Sequence, residues 1–165
     1  PDEVTLLCLL SACGHSGLLE EAQMLYENMI SIYGIIPDLK HHTCMVTCFG
    51  RFGHINEATS VIKRMSFCVN NSSVWLALLG ACRKWGNVKI GRLAFDQAVQ
   101  VDASCAASYI LMASIFAAAG LQEDAKRVEA TRVKYAAWRH QQNSLWVDAS
   151  GNDHWFLLGI GNTLK

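Results

Sequence analysis

The sequence predicts an all-α fold, a right-handed α-solenoid of four helical hairpins ended by a short C-terminal β-hairpin. Three observations predict it. First, the string Cys13-Gly14-His15-Ser16-Gly17-Leu18-Leu19-Glu20-Glu21-Ala22 returns in weaker copies at Phe49 to Ala58, Ala81 to Gly91 and Phe116 to Ala125. The turn glycines of these copies, Gly17, Gly53, Gly86 and Gly120, stand 36, 33 and 34 residues apart, the period of helical-hairpin arrays. Second, apolar residues recur at three- and four-residue spacing between those glycines, the signature of helices with one buried face. Third, 52% of the 165 residues are hydrophobic, enough for a core that runs through the whole stack.

Taken in order, Asp2 is placed to cap a first helix that carries Val4-Thr5-Leu6-Leu7-Cys8-Leu9-Leu10 to about His15, and Gly17 closes it. The second helix, from Leu18 to about Ile32, shows Leu18, Ala22, Leu25, Met29 and Ile32 on one face. Tyr33-Gly34 breaks it and Pro37-Asp38 caps the next. The second hairpin spans Leu39 to about Phe52 and Ile55 to Met65 around Gly53. After a polar connector, the third runs from Val74 to Trp85 and, with Asn87 as cap, from Val88 to Val101. The fourth spans Ala106 to Ala119 and Gln122 to about Tyr135. Beyond it Leu145 to Asp148 and Asp153 to Leu158 read as two short strands about the turn Ala149-Ser150-Gly151-Asn152. No hairpin can bury its apolar surface alone, so neighbours must stack, leaving a concave surface lined by the first helix of each.

Composition narrows the function. Fourteen basic and fourteen acidic residues give no net charge, so any polyanion must be held by a local stripe. The one visible bias is the run Lys126, Arg127, Arg132, Lys134, Arg139 in the last helix, which either contacts phosphates or an acidic partner, or is a solvated face. No apolar run of about 18 residues marks a membrane span. The opening Pro1-Asp2-Glu3, without Met, reads as a cut through a longer protein. The seven cysteines are odd in number, and Cys8, Cys13, Cys44, Cys48, Cys82 and Cys105 sit among apolar or small residues, which reads as buried thiols in a reducing compartment. Cys44 and Cys48 below His41 and His42 are the nearest approach to a zinc constellation, but no second cysteine pair is in reach, so core packing is preferred and no metal or cofactor is expected. Trp75 and Trp85 read as core and turn residues rather than base-stacking platforms.

The residues resemble a family. Pro1-Asp2-Glu3-Val4-Thr5, Leu10 to Leu18, Tyr33-Gly34-Ile35-Ile36-Pro37, Cys44-Met45-Val46, Val74 to Arg83, Gly86-Asn87-Val88, Tyr109 to Gly120 and Trp146-Val147 are similar, in this order, to the pentatricopeptide repeat proteins of plant organelles. The subclass resembled has long and short repeats and extended C-terminal motifs. The resemblance implies a long repeat at 3–38, a short repeat at 39–71, two extended tetratricopeptide-like motifs at 72–105 and 106–138, and a C-terminal segment at 139–165. It also implies a specificity factor that binds single-stranded RNA for cytidine-to-uridine editing, in a mitochondrion or chloroplast, with the mitochondrion slightly favoured. Successive hairpins would each offer side chains to the edge of one unstacked base.

In the family the base-reading residues are the fifth and the last of a repeat. They fall on Thr43 with Asn70 or Asn71 for the short repeat, a pairing similar to the one that prefers adenine, and on Leu7 with Asp38 for the long repeat, where leucine implies little polar readout. Zinc nucleobase deaminases need His-x-Glu with Pro-Cys-x-x-Cys, and neither string occurs here. No catalytic activity is therefore expected, and no Ser, His and Asp spacing suggests a triad. A deaminase would come in trans, directly or through editing cofactor proteins. Gln142-Asn143-Ser144-Leu145 and Trp155 depart from the pattern where the family docks its deaminase. The competing reading is a protein-binding solenoid that docks an editing cofactor or another RNA-processing subunit, and self-association through an exposed repeat end is a further expectation.

Overall fold

The computed structural model describes residues 1–65 and 71–148, with side-chain surroundings through 138. Among the described residues the chain is helical throughout and has no strand: α1 (Glu3–Ser16), α2 (Leu19–Ser31), α3 (Leu39–Arg51), α4 (Ile55–Arg64), α5 (Ser72–Trp85), α6 (Val88–Val101), α7 (Ala106–Ala118) and α8 (Gln122–Asp148). The start and stop signals act where the sequence puts them. The Asp2 carboxylate accepts from the Thr5 amide at 2.8 Å, and Asn87 accepts from the Ile90 amide at 3.0 Å, each satisfying a first-turn N–H that has no partner inside its helix. Gly17 closes α1 at φ 82°, where its N–H reaches the Cys13 carbonyl, a left-handed position that only glycine adopts at no steric cost.

The helices form four antiparallel pairs. Each first helix packs on its own second helix and on the first helix of the next pair, so α1, α3, α5 and α7 form one continuous row, and α2, α4 and α6 each lean on the first helix that follows. The core threads this row without a gap, from Leu6, Leu10 and Met29 through Met45 and Val46 to Val74, Leu78 and Leu79, and on to Met112 and Ile115, all close to fully buried. Small residues set the separation. A Cβ on Gly50 of α3 would lie 2.5 Å from the Ala81 Cβ of α5, closer than van der Waals contact allows. Glycine therefore holds α3 and α5 at this distance.

Two expectations are corrected. The predicted C-terminal β-hairpin begins at Leu145, but α8 continues through Leu145 to Asp148 as one helix of 27 residues; the rest of that expectation lies outside the described residues. Residues 122–148 contain neither glycine nor proline and are rich in Gln, Glu, Ala, Lys and Arg, so once nucleated the helix propagates past a short apolar triplet. The cysteines also divide: Cys48 and Cys82 are buried, Cys13, Cys44 and Cys105 are half-buried, and Cys8 is exposed. The first helix is apolar nearly all round, so its sequence does not mark which face turns inward. No described helix is long and apolar enough to cross a membrane.

Candidate functional site

The row of first helices builds a groove between α1 and α3. Leu7, Ser11 and His15 descend one side at four-residue intervals, and Thr43, Thr47 and Arg51 descend the other at the same interval. Residues four apart share a helix face, so two stripes run side by side. Leu39, Lys40, Cys44, Cys48 and Ser73 complete the walls of a cavity of about 470 Å³ that is open to solvent. The groove thus unites the two predicted fifth positions, Leu7 and Thr43.

The hydroxyls in this groove have defined remaining chemistry. Thr43 Oγ1 donates to the Leu39 carbonyl at 2.8 Å, and Thr47 Oγ1 donates to the Thr43 carbonyl at 2.8 Å. Each proton is committed to the helix, so the lone pairs are what each hydroxyl presents to a ligand. A base amino group, which donates, matches them better than a carbonyl.

Asp38 and Asn71, two of the predicted last positions, do not line the groove. Asp38 caps α3: its carboxylate accepts from the amides of Lys40 at 2.9 Å and His41 at 3.1 Å. Partial desolvation pushes this carboxyl up, but the hydrogen bonds from His41 and Lys40 outweigh it and hold the group below its ordinary value. Asn71 caps α5 in the corresponding register, its side-chain oxygen accepting from the Ser73 amide at 2.9 Å and the Ser73 hydroxyl at 2.6 Å. Ser73 is itself a groove residue, so Asn71 adjoins the wall through its cap, with amide donation as its remaining capacity. Asn70 lies outside the described residues.

The basic run of α8 is largely neutralised along its own helix. Lys126 pairs with Glu123 at 2.9 Å and Arg127 with Asp124 at 3.7 Å, Asp124 also receiving Arg92 at 3.3 Å. Arg132 donates to both carboxylate oxygens of Glu129. Lys134 is exposed, and the Arg139 side chain lies outside the described residues. A different basic strip emerges instead. His15, Arg51 and Lys84 each stand two residues before a turn glycine, in the last turns of α1, α3 and α5, where a cation is favoured by the helix dipole. Arg51 Nη1 donates to the Gly14 carbonyl at 3.2 Å and Lys84 Nζ to the Arg51 carbonyl at 2.8 Å, so the Arg51 and Lys84 cations each tie one hairpin to the one before. Because each is a single residue per repeat, no charge run reveals the strip; aligning the repeats on their glycines does.

The Cys44, Cys48 and Cys82 thiols and the His41 and His42 imidazoles are occupied structurally. Burial pushes the Cys44 and Cys48 thiols up and that of Cys82 to about 11. His41 Nε2 donates to the Glu3 carbonyl at 3.0 Å, and His42 Nδ1 donates to the Asp38 carbonyl. Trp75 is buried, whereas Trp85 at the end of α5 is half-exposed.

Comparison with known proteins agrees with this architecture. The PPR repeat family model matches residues 4–32 and 41–67, the first two hairpins. Pentatricopeptide repeat-containing protein At4g33990 of Arabidopsis thaliana is 43% identical over 123 residues, covering 74% of this chain and 15% of that protein. The mitochondrial At5g40410 of the same plant is 35% identical over 159 residues, 96% of this chain and 26% of the relative. The chloroplastic At3g57430 is 33% identical over 159 residues, again 96% of this chain and 18% of the relative. The chain spans about a quarter or less of the length of these relatives. Two matched repeats, the repeated turn glycines and the unbroken row of first helices together establish that the chain belongs to the pentatricopeptide repeat family.

Proposed function

We propose that this chain binds single-stranded RNA along the row of first helices, as part of a sequence-specificity factor for organellar RNA processing. The observation that carries this reading is the groove between α1 and α3. Hydroxyls with committed protons stand at Thr43 and Thr47, and the cation of Arg51 closes the same stripe. An unstacked base needs an edge reader and its phosphates need a cation, and one helix face supplies both. Thr43 accepting from a base amino group, with Asn71 or Asn70 donating, favours adenine; Leu7, with Asp38 committed to its cap, contributes little readout. Lys126, Arg127, Arg132, Lys134 and Arg139 of α8 are secondary candidates for phosphate or partner contact, the first three weakened by their neighbouring carboxylates. The relatives named mitochondrial and chloroplastic support placement in a plant organelle. The resemblance of the sequence to the long-and-short repeat subclass with extended C-terminal motifs supports cytidine-to-uridine editing, with a deaminase recruited in trans and no catalysis by this chain.

The experiment is titration of the chain with short single-stranded RNAs that differ only at the base facing Thr43, at low and at physiological salt. Tighter binding of adenine, weakened by salt, supports the reading. Absence of binding by the folded protein at low salt refutes it.

A second reading has its own observation. Between α7 and α8 an open groove of about 580 Å³ is lined by Ile110, Ala113, Ala117 and Ala125, with Ser114, Lys126 and Glu129 at its polar positions. Ile110 is half-exposed there. This apolar wall suits a protein partner, such as an editing cofactor, better than a nucleotide. Pull-down of such a partner that is lost with Ile110→Asp, while RNA binding survives, would support two separate surfaces. Self-association through a repeat end would show instead as a concentration-dependent mass in sedimentation.

A further inference from the structure

We propose that Trp85 is a fixed stacking platform for a base of single-stranded RNA, one hairpin beyond the groove; this rests on the RNA-binding reading above. Trp85 ends α5 immediately before Gly86 and is 49% exposed. The other half of the indole is clamped. Its Nε1–H donates to the Gly50 carbonyl at 2.7 Å, and its ring lies so close to Gly53 that a Cβ there would stand 3.1 to 3.3 Å from three ring atoms. Gly53 is at φ 85°, so the tight approach and the turn both call for glycine. The indole is therefore held in one orientation while a large aromatic surface faces water, and a ligand that stacks on it meets little further loss of side-chain freedom.

The surroundings select the ligand. Lys84 Nζ sits over the indole ring, 5.2 Å from its centroid, and donates to the Arg51 carbonyl, and Arg83 is exposed in the same last turn. Cations beside an immobile aromatic face suit a flat, π-rich group carried on an anionic backbone, which describes a nucleobase with its phosphates. The platform is continuous with the groove, because Arg51 lines the groove and its carbonyl anchors Lys84. Hairpin three also lacks a polar reader: Leu76 holds the register in α5 that Thr43 holds in α3. A stacking face is tolerant of base identity, so it adds affinity where edge recognition stops.

The test compares wild type, Trp85→Phe, Trp85→Leu and Thr43→Ala, all checked for folding by thermal melts, on short single-stranded RNAs. Trp85→Phe keeps an aromatic face and should bind within about twofold of wild type. Trp85→Leu should lose about tenfold in affinity for every sequence, with base preference unchanged. Thr43→Ala should change base preference instead. As a second readout, the part of the tryptophan emission that disappears in Trp85→Phe should be quenched by RNA in the wild type. Wild-type affinity in a folded Trp85→Leu, with no quenching of that emission, overturns the platform while leaving the groove intact. A wild type that binds no RNA overturns the RNA reading and the platform with it.

Discussion

The joints between hairpins one and two and between two and three share a device that the joint between three and four lacks. The Phe52 ring lies 3.7 Å from the Cβ position of Gly17, and the Trp85 ring lies 3.1 Å from that of Gly53, so the residue closing each first helix covers the turn of the preceding hairpin. At the last joint the corresponding residue is Ala119, and a Cβ on Gly86 would meet nothing within 4 Å. The exposed stripe changes at the same place. Thr43, Thr47 and Arg51 in α3 correspond to Ile110, Ser114 and Ala118 in α7. One backbone period therefore carries two surfaces, a hydroxyl-and-cation face in the first half and an apolar face at the end. The scaffold is repetitive, and function resides in the register positions laid on it.

The comparison can be broken most strongly at Trp85. Trp85→Ala should lower unfolding free energy by about 3 kcal/mol, from the half-buried indole and its hydrogen bond. Urea unfolding checks this, and a loss below about 1 kcal/mol would show that the aromatic cover does not hold the joint. The next largest effect contrasts two helical glycines. Gly50→Ala places a Cβ against Ala81 and should cost about 2 kcal/mol. Gly80→Ala meets nothing within 4 Å and should instead stabilise by about 0.5–1 kcal/mol through helix propensity. Thermal melts of the two variants shifting in the same direction would contradict the packing described.

A smaller effect is expected at the caps. Asp38→Ala should cost about 1 kcal/mol. The sign of its pH dependence follows from the lowered carboxyl: the charged form is favoured in the folded chain, so its contribution is present above the ordinary carboxylate value of about 4 and is lost as pH falls through the folded value. Wild type and Asp38→Ala should therefore differ in stability at neutral pH and converge in acid. The smallest stability effect belongs to Thr43→Ala, within about 0.5 kcal/mol, because its hydroxyl serves the surface rather than the core.

Much of this was legible in the residues because the repeat announces itself. Asp2 and Asn87 as caps, Gly17, Gly53, Gly86 and Gly120 as turns and the apolar spacing between them place seven of the eight helices within a residue or two. Other features were not legible, for identifiable reasons. Leu145-Trp146-Val147 has strand-like composition, and the helix that reaches it owes its extent to the 23 preceding residues rather than to those three. The charges of α8 stand out in sequence because they cluster, yet three of them meet carboxylates at three-residue spacing. His15, Arg51 and Lys84 are scattered in sequence and line up only once the repeats are aligned on their turn glycines. Trp75 stands between Val74 and Leu76 and Trp85 between Lys84 and Gly86, which separates a core ring from a turn one; that the turn ring is anchored at the surface shows only in its packing against Gly50 and Gly53.

The most direct test of the central claim is the affinity of wild type and Thr43→Ala for short single-stranded RNAs carrying A, C, G or U opposite α3, at fixed salt. The account predicts that wild type binds the adenine RNA most tightly and that Thr43→Ala, equally stable, loses that preference while retaining most of its salt-dependent affinity. Equal binding of all four RNAs by wild type, or an adenine preference that survives Thr43→Ala, would contradict it.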